Sequence, residues 1–264
     1  SNQVIGPLWA LSGELHEITR GAFDPTVKPL VELWGFGLSK RGVVSIADVD
    51  SVLEFTGLYP DRFDMNEEEE NNRYVATWVR KGDGRSAIDF NAVAQGYTVD
   101  LLLEALRERG IADAMVELGG EVACRGVNAK GGPWRIAVDR PLVGSSASDR
   151  VLETVVEVQD RAICTSGSYR KFYEQDGRRY SHTIDPASGW PVENGLLSAT
   201  VLAPTAAYAD ALATAFMVLG EAQTRAFLNA YPELGIDVLL MSDDGSGGYQ
   251  IWESTGFEAV SSPL

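Results

Sequence analysis

Asp210 and Thr214 lie four residues apart in Ala209-Asp210-Ala211-Leu212-Ala213-Thr214-Ala215. On a helix this spacing places both side chains on one face, about one turn apart. A carboxylate and a hydroxyl converging there could give magnesium two hard oxygen ligands. That ion takes few protein ligands and leaves the rest to water and phosphate. The surrounding alanines and leucines indicate a buried helix, and a buried aspartate needs a partner or a metal. On the pair alone, an aspartate bonded to a neighbouring loop is favoured about two to one.

Three further stretches carry usable chemistry. In Asp89-Phe90-Asn91-Ala92-Val93-Ala94-Gln95-Gly96-Tyr97 a strand hands over to a helix, whose first amides are a natural site for phosphate oxygens. In Glu117-Leu118-Gly119-Gly120-Glu121 the paired glycines let a ligand or another backbone approach closely, although a simple bulge explains them equally well. Cys164-Thr165-Ser166-Gly167-Ser168-Tyr169 offers hydroxyls and amides in a small-residue loop. Downstream, Tyr180-Ser181-His182-Thr183-Ile184-Asp185-Pro186 holds one of only two histidines, with Asp185 three residues on. A histidine there could take a proton from an attacking hydroxyl. A Ser-His-Asp hydrolase fits poorly, since the chain has no Gly-x-Ser-x-Gly elbow. There is likewise no Gly-x-Gly-x-x-Gly fingerprint and no Walker A loop. His16, on the first helix, reads as structural.

Bulk properties narrow the partners. A net charge of -16 argues against non-specific nucleic-acid binding and against docking on anionic lipid. Cys124 and Cys164 form no Cys-x-x-Cys pattern, which excludes cysteine-based zinc and iron–sulfur sites and suggests two buried free thiols. No stretch approaches the length of a membrane span, no signal peptide is visible, and the chain opens with Ser1-Asn2 rather than methionine.

The elements that must position these residues follow from periodicity. Helices are expected from Leu8 to Thr19, Ile46 to Phe55, Ala94 to Arg109, Thr205 to Leu219 and Glu221 to Tyr231. Strands are expected at Tyr74 to Arg80, from the Gly82-Asp83-Gly84 turn to Phe90, and at Ala114 to Leu118 and Val122 to Arg125. Others fall at Trp134 to Asp139, Val151 to Val158, Ala162 to Thr165 and Leu197 to Leu202, with a last hairpin of Ile236 to Met241 and Tyr249 to Trp252. The segment from Gly21 to Gly37 reads as irregular, and the acidic run Asp64 to Asn72 as a solvated hairpin tip. The fold class is α+β, with mixed or antiparallel sheets and packed helices.

These stretches, taken in order, resemble the ApbE family of FAD:protein FMN transferases over nearly the whole chain. Ala22-Phe23-Asp24-Pro25-Thr26-Val27 with Leu33-Trp34-Gly35-Phe36-Gly37 is similar to the family's early signature. The segment from Asp89 to Asp100 is similar to its metal-and-phosphate turn. Leu118-Gly119-Gly120, Thr165-Ser166-Gly167, His182-Thr183-Ile184-Asp185-Pro186 and Ala209 to Thr214 resemble the rest of its motifs. The resemblance implies one ApbE-like, T-fold-related domain over residues 1–264 that binds FAD and magnesium. The implied reaction moves FMN onto a Thr or Ser hydroxyl of an acceptor protein, typically a membrane redox subunit, and releases AMP. The implied magnesium ligands are the Ala94 carbonyl, Asp210 and Thr214. Gln95, Gly119, Gly120, Thr165, Ser166, Gly167 and His182 would line the flavin nucleotide, with His182 and Asp185 as the catalytic pair. Family members usually work in the periplasm or cell envelope, often lipid-anchored.

Two departures stand out. Gln95 occupies a position that is commonly lysine, which leaves more of the phosphate charge to magnesium. Nothing like the family's Thr-Met-Gly-Thr-like strand precedes Gln3, so the family's N-terminal portion is expected to be absent here. Two alternatives use the same residues: an FAD-binding protein without turnover, and a magnesium-dependent FAD pyrophosphatase giving FMN and AMP.

Overall fold

The apolar spacing at the start of the chain produces α1 (Ile5–Ile18), which buries Leu8 and Leu15. In this computed structural model, residues 4–37, 42–70, 73–142, 151–169, 172–175 and 178–263 are described. The chain forms two units, residues 1–92 with 184–192, and residues 93–183 with 193–264.

In the first unit α1 is followed by α2 (Lys28–Leu33), inside the segment expected to be irregular. Pro29 sits in its first turn, where a missing N–H costs nothing, and Leu30 is fully buried. Helix α3 (Ile46–Leu53) starts at a reciprocal cap: the Asp48 amide donates to Ser45 Oγ, and the Asp48 carboxylate accepts from the Ser45 amide. His16 keeps its structural role, with Nδ1 3.1 Å from the Phe23 carbonyl and 3.6 Å from the Asp24 carboxylate.

Two expectations in this unit are overturned. The acidic run is a strand arm rather than a tip: β1 (Phe63–Glu70) pairs antiparallel with β2 (Arg73–Lys81), while Asn71 and Asn72 lie outside the described residues. Cross-strand hydrogen bonding overrides the poor strand propensity of consecutive glutamates. The strand expected from Gly84 to Phe90 is also not there. The Ser86 amide donates to the Asp83 carbonyl, Ser86 Oγ to the Phe55 carbonyl, and the Asp89 amide to the Pro25 carbonyl. The two amide bonds take backbone donors that a ladder would have used.

The second unit opens with α4 (Ala94–Glu108), followed by β3 (Ala114–Leu118), β4 (Glu121–Arg125), β5 (Trp134–Asp139), β6 (Leu152–Val158) and β7 (Ala162–Gly167). Then come β8 (Phe172–Gln175), β9 (Arg178–Ser181), β10 (Leu196–Ala203), α5 (Ala206–Ala230), β11 (Asp237–Asp243), β12 (Tyr249–Glu253), α6 (Thr255–Glu258) and β13 (Ser261–Pro263). Six strands form one sheet in the order β12-β11-β10-β7-β4-β3, and β13-β6-β5 form a second. Every described pairing is antiparallel, so the α+β expectation holds with the antiparallel form of sheet. The β8–β9 hairpin, α6 and β13 have no counterpart in the sequence expectations.

Side chains alternate across the six-stranded sheet. Val122, Cys124, Ile163, Leu202, Leu239 and Met241 join Val138, Val156, Val158 and Phe257 in one core cluster. Helices α4 and α5 pack against β3, β4, β7 and β10. Strand β10 is buried along its whole length. The two helices expected around Gly220 appear as α5 with a break at that residue (φ 72°, ψ 176°), a conformation glycine adopts without strain. The Asn194 amide donates to the Met217 and Val218 carbonyls freed by the break. Both cysteines are free and buried, as expected. Burial pushes the Cys124 thiol up to about 12 and the Cys164 thiol well above its usual value, which rules out a resting thiolate.

Candidate functional site

The N-terminal half of α5 is fixed to α4 by two carboxylates. Asp100 accepts hydrogen bonds from the Ala206 amide at 2.8 Å and the Ala207 amide at 2.9 Å, supplementing the Thr205 cap whose hydroxyl accepts from Tyr208. In the reverse direction, the Gly96 amide donates to Asp210 Oδ2 at 3.0 Å. The helices meet so closely that a Cβ on Gly96 would lie 2.2 Å from the Ala206 carbonyl oxygen. Only glycine fits between them.

Asp210 is 6% exposed. Burial pushes its carboxyl up to about 7; the Gly96 bond opposes that shift, and the nearby Glu121 charge adds to it. Its Oδ1 accepts no hydrogen bond from the described residues. One turn on, Thr214 Oγ1 lies 3.1 Å from Ser166 Oγ on β7. The expected i, i+4 pair therefore forms, with α4 on the carboxylate side and β7 on the hydroxyl side.

Gly119 (φ 72°) and Gly120 (φ 116°) make the turn between β3 and β4. A Cβ on Gly119 would lie 2.2 Å from Gln95 Nε2 and 3.3 Å from Glu121 Oε2, so the α4 N-terminus and this turn converge. Gln95, Gly119 and Gly120 are exposed, which opens this corner to solvent. Glu121 Oε2 is buried without a hydrogen-bond partner, and burial followed by the Glu117 charge raises the carboxyl's pKa. Val93 gives α4 no side-chain cap, and of the first-turn amides that of Gly96 is taken by Asp210.

The hydroxyl loop divides. Ser166 faces α5, but Thr165 points to the opposite face of β7, where its Oγ1 lies 2.8 Å from Thr200 Oγ1. Gly167, at the end of β7, pairs with Ser198 of β10. His182 is half-buried immediately after β9, in a segment closed by the Thr183 amide donating to Ser181 Oγ. Asp185 belongs to the first unit. Its carboxylate accepts from the Ala187 amide at 3.0 Å, and its backbone amide donates to the Trp190 carbonyl. It closes its own turn. That turn is anchored by the Trp34 indole donating to the Gly189 carbonyl at 2.8 Å.

Among the described residues no group of three or more His, Cys, Asp or Glu side chains could hold a metal unaided. The donor set suits an ion that keeps water and phosphate ligands. Asp210 has an open oxygen and a raised pKa, and Thr214 presents a hydroxyl one turn away. The Ala94 carbonyl, in the first turn of α4, already accepts from Thr98 Oγ1 at 2.7 Å. Sequence reasoning passed over Gly96, Asp100 and Glu121 as site builders. Asp100 did carry a signal, lying four residues from Gly96 on the same helix face.

The model of the ApbE family matches residues 4–240, and the chain belongs to that family. The FAD:protein FMN transferase of Vibrio cholerae is 38% identical over 237 residues, 89% of this chain and 66% of that protein. The enzyme of the same name from Salmonella typhimurium is 36% identical, covering 91% of this chain and 65% of its own length. This chain thus spans about two thirds of the curated relatives it matches. The solved flavin transferase ApbE from Vibrio cholerae superposes with a TM-score of 0.78 at 36% identity, covering 98% of this chain and 77% of that one. The apo Pseudomonas stutzeri flavinyl transferase ApbE gives 0.80 at 32% identity, covering 98% and 75%.

Proposed function

We propose that this chain transfers FMN from FAD to a Ser or Thr hydroxyl of an acceptor protein, with magnesium at Asp210 and Thr214. The observation that carries the reading is the pairing of buried Asp210 with half-buried Thr214 one turn on, the open carboxylate oxygen standing beside the first turn of α4. That turn supplies backbone amides for phosphate oxygens, and Gly119-Gly120 leaves room for a nucleotide to approach. The relatives' name, FAD:protein FMN transferase, supplies the substrate and the reaction.

Magnesium, when bound, neutralises the pyrophosphate and polarises the phosphorus joined to FMN. The chain's own groups hold and orient. Asp210 and Thr214 hold the cation, with the Ala94 carbonyl as a further oxygen, and the α4 amides orient the phosphates. The acceptor oxygen forms a bond to the FMN-side phosphorus as the pyrophosphate P–O bond breaks. AMP leaves with the bonding electrons, and the hydroxyl proton passes to a base, a role assigned to His182. Asp185 orders the turn that follows His182. A membrane redox subunit as acceptor and a periplasmic or cell-envelope setting belong to the same proposal and rest on family resemblance. No helix among the described residues is long and apolar enough to cross a membrane.

The test is incubation with FAD, magnesium and an acceptor peptide carrying the target threonine. Flavin fluorescence should stay on the denatured peptide while AMP appears in equal amount. Free FMN with AMP would identify the pyrophosphatase instead. FAD binding without AMP release, under conditions where a full-length relative labels the peptide, would leave only a binding protein.

A further inference from the structure

A threonine inside a helix ordinarily turns its hydroxyl back to the carbonyl four residues earlier. This protein follows the rule elsewhere. Thr98 Oγ1 donates to the Ala94 carbonyl at 2.7 Å on α4, and Thr224 Oγ1 to the Gly220 carbonyl at 2.8 Å further along α5. Thr19, at the end of α1, donates to the Leu15 carbonyl at 2.6 Å. Thr214 departs from it. Its hydroxyl partner is Ser166 Oγ, on a strand packed beside the helix.

We propose that Ser166 is a positioning residue, holding the Thr214 hydroxyl off its own helix and aiming its oxygen at the cation; this rests on the cation reading of Asp210 and Thr214. A hydroxyl has one proton and two lone pairs. A threonine that binds a cation through oxygen must give its proton to an acceptor on the far side, and Ser166 Oγ stands 3.1 Å away. Asp210 is fixed in the same manner by the Gly96 amide on Oδ2, which leaves Oδ1 open. The two ligands are thus aimed from outside by two different elements, α4 and β7. The alternation of β7 decides which hydroxyl does this: Thr165, one residue earlier, bonds Thr200 on the opposite face.

The experiment titrates Mn2+ into the full chain, alone and with saturating FAD, by electron paramagnetic resonance. Ser166→Ala and Ser166→Val should weaken Mn2+ binding by about tenfold or more, the usual effect of removing a partner that orients a metal ligand. Ser166→Thr, which matches valine in shape and keeps the hydroxyl, should restore it. Thr224→Ala removes a back-bonded hydroxyl from the same helix and should leave Mn2+ affinity unchanged. The cation-free melting temperature of Ser166→Ala should stay at the wild-type value, which separates aiming from folding. If Ser166→Ala and Ser166→Val bind Mn2+ as tightly as wild type while Asp210→Asn loses it, the cation site stands and the Ser166 role is overturned. Equal affinity in wild type and Asp210→Asn, or no Mn2+ binding by wild type with FAD, would overturn the site reading itself.

Discussion

Replacing Asp210 with asparagine in the cation-free protein isolates what burying this carboxylate costs. Burial carries its pKa from 3.8 to about 7. The folded state therefore holds a proton that the unfolded chain has already released, across the interval between those values. Stability from this group is fully present below 3.8 and is lost as pH rises through about 7. The whole loss is about 4 kcal/mol, at roughly 1.4 kcal/mol per unit. About half of it falls between pH 5.5 and 8.5, the range open to a protein of pI near 4.5. Asparagine keeps an acceptor for the Gly96 amide and does not titrate. Any cost or gain from its amide protons is to first order the same at every pH. Glu121 titrates in both proteins and cancels to first order.

Urea unfolding in a chelating buffer at steps from pH 5.5 to 8.5 measures the difference. The stability of Asp210→Asn relative to wild type should climb by about 2 kcal/mol across the range, most steeply at its acid end and levelling off above pH 7. Magnesium at pH 8 should then raise wild-type stability, since it binds the ionised folded form, and leave the variant unchanged. A stability difference that stays flat with pH would refute the reasoning, because it would mean that Asp210 is ionised and compensated in the folded protein.

Two further substitutions probe how the site is held together. Gly96→Ala places a methyl 2.2 Å from the Ala206 carbonyl oxygen, so it should cost about 1–3 kcal/mol in urea unfolding despite alanine's better helix propensity. A variant as stable as wild type would mean that α4 can slide without penalty. Asp100→Ala removes the acceptor of the Ala206 and Ala207 amides and should cost about 1–2 kcal/mol. Hydrogen exchange should speed selectively in the first turn of α5; unchanged exchange there would show that Thr205 caps the helix alone.

Those elements whose own residues dictate them were legible in the sequence. The amphipathic spacing of α1 and α4, the alternation of β6, the unbroken apolar run of β11, and the pairing of Asp210 with Thr214 are local patterns that tertiary structure leaves in place. The failures came where a distant partner decides. Consecutive glutamates read as a solvated tip, yet ladder bonds to β2 draw Glu67 to Glu70 into β1. The stretch after Gly84 has strand-like composition, but the Asp83 and Pro25 carbonyls take its Ser86 and Asp89 amides before another strand can. The β8–β9 hairpin, with arginines and a glutamate in four-residue strands, carries too weak an alternation to be read.

The site divides along the same line. Its candidate metal ligands were visible because four residues on one helix must share a face. What aims them was not, because each aiming contact spans a long separation: 114 residues from Gly96 to Asp210, and 48 from Ser166 to Thr214. Gly96 shows this most directly. In the sequence it is one glycine in a helix start, where it weakens the helix by about 1 kcal/mol against alanine. In the fold the same residue lets α4 approach the Ala206 carbonyl, and that approach brings its amide to the Asp210 carboxylate. The local cost is therefore the condition for holding a buried acid with one oxygen satisfied and the other open. A larger residue at 96 would relieve the helix and loosen Asp210 together, which is why stability and cation affinity should fall in the same variant.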